Sequence, residues 1–208
     1  MTKFSLINLP LSILLLFFFV NSAMSETTPT QVIRTSNNQI LDIYKSSPTV
    51  KNGILDTIFS VMEEITDFKT MADRASQDTC KQTTTELCAQ LKTEFIQLLK
   101  LTATNKLGRY RADRFEYLEE EISNNQAVVK TKAYFEEDEV QLDYILERNA
   151  NRWRVVNYIA DEIDTIRNYQ SQFSRITKKK SVVFLINRLK KKNKQYLKER
   201  ENQVQSQS

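Results

Sequence analysis

The feature that most constrains the fold is a change of hydrophobic period partway along the chain. Between about Arg111 and Ala160 apolar residues recur at every second position, whereas on either side they recur every three or four. Period two predicts strands with one buried face, and four of them fit. Phe115, Tyr117 and Leu118 mark the first, and Val129, Thr131, Ala133 and Phe135 alternate with Lys130, Lys132 and Tyr134 in the second. Val140, Leu142, Tyr144 and Leu146 alternate with Gln141, Asp143 and Glu147 in the third, while Trp153, Val155 and Ile159 carry one face of the fourth. The links at Ser123 to Gln126, Glu136 to Glu139 and Asn149 to Asn151 are short and polar. Connections that tight join antiparallel neighbours, so the sheet is expected to be a meander.

Helical spacing occupies the rest. A short spacer at residues 26–30 leads to Val32, Ile33, Ile40, Leu41 and Tyr44, which share a helix face. Pro48 then breaks the chain, and Ile54, Leu55, Ile58, Phe59, Met62 and Ile65 form the apolar side of a second helix. A third should run from about Asp67 to Asp78. Thr83-x-x-Glu86 has the form of a capping box, so a fourth helix should start there and bury Leu87, Leu91, Phe95, Leu98 and Leu99. After the strands come Ile163, Ile166, Tyr169, Phe173 and Ile176, then, beyond a capping Ser181, Val182, Val183, Leu185, Ile186 and Leu189. The Gln- and Ser-rich residues 201–208 read as a disordered tail.

The two ends of the chain carry information about compartment and surface. Lys3, an apolar run from Leu9 to Val20 and Ala23-Met24-Ser25 compose a secretory signal peptide over residues 1–25. The run is shorter than the roughly 20 apolar residues a membrane span requires, and Pro10 and Ser12 interrupt it. What remains, residues 26–200, fits a single domain. Export to an oxidising compartment makes a Cys80–Cys88 disulfide reasonable across the turn between the third and fourth helices, with two unpaired buried cysteines as the alternative. From Ser174 onward eleven Lys or Arg accompany two acids, Glu199 and Glu201. That end suits an anionic membrane or an acidic partner, or is simply a solvated helix. The net charge of +4 is too small to argue for nucleic acid.

Several chemistries are excluded by composition. The chain has no histidine, which removes Ser-His-Asp and Cys-His catalysis and the commonest nitrogen ligand for transition metals. Gly53 and Gly108 are its two glycines, so no Gly-rich phosphate loop can be written. No catalytic residue, metal or cofactor is expected.

The helices, then the meander, then Trp153 in its last strand resemble the toluene-tolerance Ttg2 or MlaC family of periplasmic phospholipid-binding proteins. Val140-Gln-Leu-Asp-Tyr-Ile-Leu146, a polar turn and Trp153-Arg-Val155 resemble that family's paired terminal strands. Asn168-Tyr169-Gln-Ser-Gln172-Phe173 resembles the helix that follows, and Asp67-Phe68-x-x-Met71-Ala72 with the Phe95 to Leu99 segment resembles its helical part. Departures occur at Asp161-Glu162-Ile163-Asp164, where the family usually runs acidic-Gly-x-Ser, at Asn157, where Asp is common, and at Cys80, where an aromatic is common. The resemblance implies a soluble periplasmic carrier of phospholipid and not an enzyme. It also implies two protein partners: an inner-membrane ABC transporter with a ring-forming lipid-binding protein, and an outer-membrane lipoprotein complex. Some relatives are associated with hopanoid lipids instead.

The expected architecture is α+β, a helical bundle on one face of a four-stranded antiparallel sheet. If the layers close, the result is an ordinary core; if they splay, the gap is an apolar cavity for acyl chains. We expect the splayed form. Its candidate lining comes from the sheet residues Val129, Ala133, Phe135, Leu142, Tyr144, Leu146, Trp153, Val155 and Ile159. The helices would add Phe59, Met62, Leu98, Ile163, Ile166 and Phe173. Two rivals are an α+β enzyme using Tyr144, Tyr158, Asp143 and Asp161, and a periplasmic adapter or chaperone that grips a partner helix in the same groove.

Overall fold

The computed structural model describes residues 27–46, 52–109, 111–136 and 138–205, and of 52, 107–109 and 203–205 the backbone alone. The signal peptide over 1–25 and the break at Pro48 lie outside the described residues. Six helices and five strands follow in the order α1 (Pro29–Ser46), α2 (Asn52–Ile65), α3 (Phe68–Cys80), α4 (Thr85–Arg109), β1 (Arg114–Ser123), β2 (Gln126–Phe135), β3 (Asp138–Asn149), β4 (Arg152–Ala160), β5 (Ile163–Asp164), α5 (Thr165–Thr177) and α6 (Val182–Gln205). The architecture is α+β. No helix among the described residues is long and apolar enough to cross a membrane.

Helix starts follow local hydrogen bonding. Thr28 Oγ1 accepts from the Gln31 N–H at 3.2 Å and the Thr28 N–H donates to Gln31 Oε1 at 2.9 Å, a closed capping box with Pro29 as first helical residue. Pro29 and Thr30 therefore belong to α1 and not to a spacer. Asp67 caps α3 through the Thr70 N–H at 2.9 Å and hydroxyl at 2.8 Å. Burial alone would raise the pKa of Asp67, but the two Thr70 bonds together with Arg154 and Lys69 leave it below the usual value. At α4 the cap is Thr84, whose Oγ1 accepts from the Leu87 N–H, so the box expected from Thr83 to Glu86 is displaced by one residue. Ser181 caps α6 through the Phe184 N–H at 3.1 Å. This last helix runs to Gln205, so the tail expected from Glu201 is helical through its first five residues.

The strands form one antiparallel sheet in the order β1-β2-β3-β4-β5, the meander the short links require. A fifth strand, two residues long, extends the expected four. Hairpins are closed without glycine. Asn124, Glu136, Ala150, Asn151, Asp161 and Glu162 all hold positive φ, from 45° to 66°. On the outer face the sheet is laced by ion pairs, Lys130 with Glu119 at 2.8 Å and Glu121 at 3.1 Å, and Lys132 with Glu139 at 2.7 Å.

Apolar burial falls into three separate clusters. Met71, Leu91, Phe95, Leu98, Phe173, Leu185 and their neighbours form a helical core of α3, α4, α5 and α6. Phe95 lies edge-on to Tyr169 and Phe173, with centroids 4.7 and 5.0 Å away. Ile33 of α1 is buried against Ala127, Val129, Leu146, Trp153 and Val155 of the sheet. Ile40, Tyr44 and Ile58 join α1 to α2. Cys80 and Cys88 are disulfide-bonded and staple the end of α3 to the start of α4.

Candidate functional site

One half of the inner sheet face is filled. Paired residues in an antiparallel sheet point to the same side, so Ala127 with Leu146 and Val129 with Tyr144 face the helices, joined across β4 by Trp153 and Val155. Ile33 closes over them. Arg34 lies 4.0 Å above the Tyr117 ring and Asn37 Nδ2 donates to the Tyr117 hydroxyl at 3.2 Å, which ties α1 to the edge strand β1.

The other half differs. By register, Phe115, Ala133, Phe135, Val140, Leu142, Tyr158 and Ala160 share this inner face. Apart from Ala133 they are half-buried, although most belong to interior strands. The helices packed on the sheet are α1 on β1 and β2, and α2, α3 and α5 on β4; on β3, Leu146 and Tyr144 meet α1 at Ile33 and Asn37, and Glu147 pairs with Arg74 of α3. Beyond Tyr144 the middle strand presents Val140 and Leu142, which are half-buried and belong to none of the three buried clusters.

The tyrosines report the polarity of this region. Burial pushes the Tyr144 hydroxyl well above its ordinary value, an effect reduced by a hydrogen bond with Asn37. Tyr158 is raised for the same reason and partly relieved by Thr165. Both side chains nevertheless keep accessible surface. Tyr144 borders the cluster beneath α1 and Tyr158 borders the helical core. Farther from β3, burial pushes Tyr44 and Tyr169 up to about 12.

The sequence-selected residues divide between the filled and the half-buried parts. Leu98, Ile166 and Phe173 are sealed in the helical core, with Phe59 at its margin stacked on Phe68 at 6.2 Å. Val129, Leu146, Trp153 and Val155 are sealed beneath α1, and Met62 borders the α1–α2 cluster. Ala133, Phe135, Leu142 and Tyr144 belong to the inner face, the last three half-buried.

Two placements need correction. Ile159 does not share a face with Trp153 and Val155, because the register slips at Val156: Val155 pairs with Leu146 but Asn157 with Ile145, so Ile159 pairs with Asp143 on the outer face. Ile163, expected in a helix, lies in β5 and is 58% exposed. The same bulge delivers Tyr158 and Ala160 to the inner face, which strict alternation from Trp153 hides. Phe115 and Val140 were visible in their strands as apolar alternating positions but were not among the selected residues.

Among the described residues, no three of Cys, Asp and Glu gather in a group able to hold a metal ion. Asp143, named in the enzyme rival, lies on the outer face opposite Tyr144, and Asp161 turns back onto the sheet, accepting from the Gln141 N–H at 3.2 Å. A depression on α3 lined by Thr70, Asp73, Arg74 and Gln77 is polar and open to solvent.

Comparison with known proteins bears on the fold and the family. A search of curated proteins finds no match. Among solved structures, a phospholipid-binding protein from Ralstonia solanacearum, determined in complex with a phospholipid, superposes with a TM-score of 0.68 at 24% identity, covering 80% of this chain and 97% of that one. Its likeness concerns the fold. The family model described as MlaC protein matches residues 34–191 of the 208, spanning α1 through most of α6, and on that match this chain belongs to the MlaC family.

Proposed function

We propose that this protein is a periplasmic phospholipid carrier that holds acyl chains against the half-buried part of the inner face of β3 and passes the lipid between membranes. The observation that carries the reading is the half-buried pair Val140 and Leu142 on the inner face, which joins none of the buried clusters. Membership of the MlaC family and a similar fold crystallised with phospholipid support it.

The energetics suit a carrier. Burial is worth about 0.8 kcal/mol per methylene, so a diacyl lipid with roughly thirty of them gains on the order of 25 kcal/mol relative to water. A bilayer offers nearly the same. Exchange between protein and membrane is therefore close to balanced, and direction comes from partners: an inner-membrane ABC transporter with its ring-forming lipid-binding protein at one side and an outer-membrane lipoprotein complex at the other. The phosphate group stays at the mouth of the site, since burying it uncompensated costs several kcal/mol. No catalytic step is assigned to the chain.

Solvent extraction of the purified protein followed by mass spectrometry tests this. Phospholipid in near-stoichiometric amount is expected; protein that is lipid-free, and stays so after incubation with phospholipid vesicles, overturns the reading. Hopanoid in place of phospholipid would identify the alternative cargo.

A further inference from the structure

Most lysines ahead of α5 hold a carboxylate: Lys45, Lys81, Lys92, Lys100, Lys130 and Lys132 all do so within 3.4 Å. The turn between α5 and α6 does not follow that pattern. Lys178, Lys179 and Lys180 are consecutive and exposed, and among the described residues no carboxylate lies within ion-pair distance of them or of Arg188 and Lys191 on α6. Beside them Val183 is 47% and Phe184 45% exposed. Arg188 and Lys191 follow Phe184 at four and seven residues, so they share its helix face.

Part of this cluster has a local explanation. Lysines after α5 complement the negative end of that helix. That accounts for a charge or two among Lys178 to Lys180 but not for the exposed Val183 and Phe184, nor for the basic stripe continuing along α6. The other exposed apolar side chains near the sheet lie in acid: Leu118 and Ile122 among Glu116, Glu119, Glu120 and Glu121, and Ile163 among Asp161, Glu162 and Asp164. At the α5–α6 turn, exposed apolar groups stand instead in a field of one positive sign.

We propose that this turn and the start of α6 dock the protein on an anionic phospholipid surface, with Phe184 and Val183 entering the headgroup layer and Lys178 to Lys180 and Arg188 pairing with lipid phosphates. Unpaired basic residues around a short apolar wedge match that interface in both charge and polarity. An acidic protein surface would satisfy the lysines alone. The acidic edge strand β1 disfavours contact through the sheet, so charge also sets which end of the molecule approaches. This docking is a property of the surface and does not require the interior site to be loaded.

Vesicle sedimentation with the purified protein tests the proposal. Binding to phosphatidylglycerol–phosphatidylethanolamine vesicles, weak binding to phosphatidylcholine vesicles and a steep loss with added salt are expected. Lys179→Glu with Lys180→Glu should weaken binding by at least about 30-fold, and Phe184→Ser by about 10-fold with all charges intact. All three positions are exposed, so circular dichroism should be unchanged. Phe184→Trp adds an exposed fluorophore to the buried Trp153, and its emission should shift to the blue on vesicle binding. Equal binding to neutral vesicles, sedimentation without a blue shift, or a Phe184→Ser variant that binds as the parent overturns the proposal. An effect of the lysine reversals seen only with an acidic protein, and not with vesicles, overturns it in favour of a protein partner. Because lipid extracted from the protein is read separately, a failure here leaves the carrier reading standing, and the reverse.

Discussion

At the residue scale, two departures from the family pattern become intelligible together. Asn157 Nδ2 donates to Asp164 Oδ1 at 2.9 Å, while Asn157 Oδ1 accepts from the Ile166 N–H at 3.2 Å and Asp164 Oδ1 accepts from the Arg167 N–H at 2.8 Å. Both side chains therefore serve the N-terminus of α5, and one negative charge there is favourable. The family commonly places that charge at the strand position and a serine at the cap, whereas this chain has an amide on the strand and the acid at the cap. Asn157→Asp would set two carboxylates against each other and should cost about 1–3 kcal/mol, which Asp164→Ser added to it should largely recover; a double-mutant cycle by urea unfolding reads the coupling. The third departure is strained. Glu162 holds a φ of 66°, where a side chain costs about 1–2 kcal/mol and glycine almost nothing. Glu162→Gly should raise stability by about 0.5–1 kcal/mol, after the greater freedom of glycine in the unfolded chain is deducted.

Among the elements, what could be read from sequence was whatever period and hydrogen bonding determine locally. The four long strands and six helices follow from apolar spacing, because each presents one face to a core. Caps were less legible. The pattern Thr-x-x-Glu occurs at Thr83, yet the box that closes is Thr28 with Gln31, since the sequence does not say which of two adjacent threonines leaves the helix. Bulges were not legible at all. The extra residue at Val156 reverses every side chain after it, so alternation counted from Trp153 assigns Ile159 to the wrong side and misses Tyr158. The half-buried part of the sheet was invisible for a different reason: how far helices cover β3 is decided by packing far apart in sequence. The staple between α3 and α4 is a further testable element. Replacing Cys80 and Cys88 by serine reopens a short loop and should lower stability by about 2.5 kcal/mol in urea, with the helical signal retained.

For the whole molecule, the division between sealed clusters and a half-buried strip makes opposite predictions for two residues of similar kind. Val155 is 3% exposed within the cluster beneath α1. Val155→Asp buries an unpaired charge and should unfold the protein, by about 3 kcal/mol or more. Leu142→Arg on the half-buried strip should leave a folded protein that carries little lipid, as judged by circular dichroism and extracted lipid content. The buried tyrosines give a global pH signature. Tyr44 and Tyr169 are pushed up to about 12 in the folded state, and ordinary tyrosine ionises near 10 when unfolded. Between those values the unfolded chain has released protons that the folded chain retains, so stability is intact below pH about 10 and falls as pH rises toward about 12. Tyr169→Phe should flatten part of that decline in a thermal-melt series.

The claim on which the account rests is that acyl chains lie against β3. A phospholipid bearing a photoreactive group within one acyl chain, loaded into the protein and irradiated, places the chain directly when the adducts are mapped by peptide mass spectrometry. Adducts on the peptides carrying Val140, Leu142, Tyr144 and Phe115 are the predicted result. Adducts confined to the outer face or to α6, with none on β3, would contradict it.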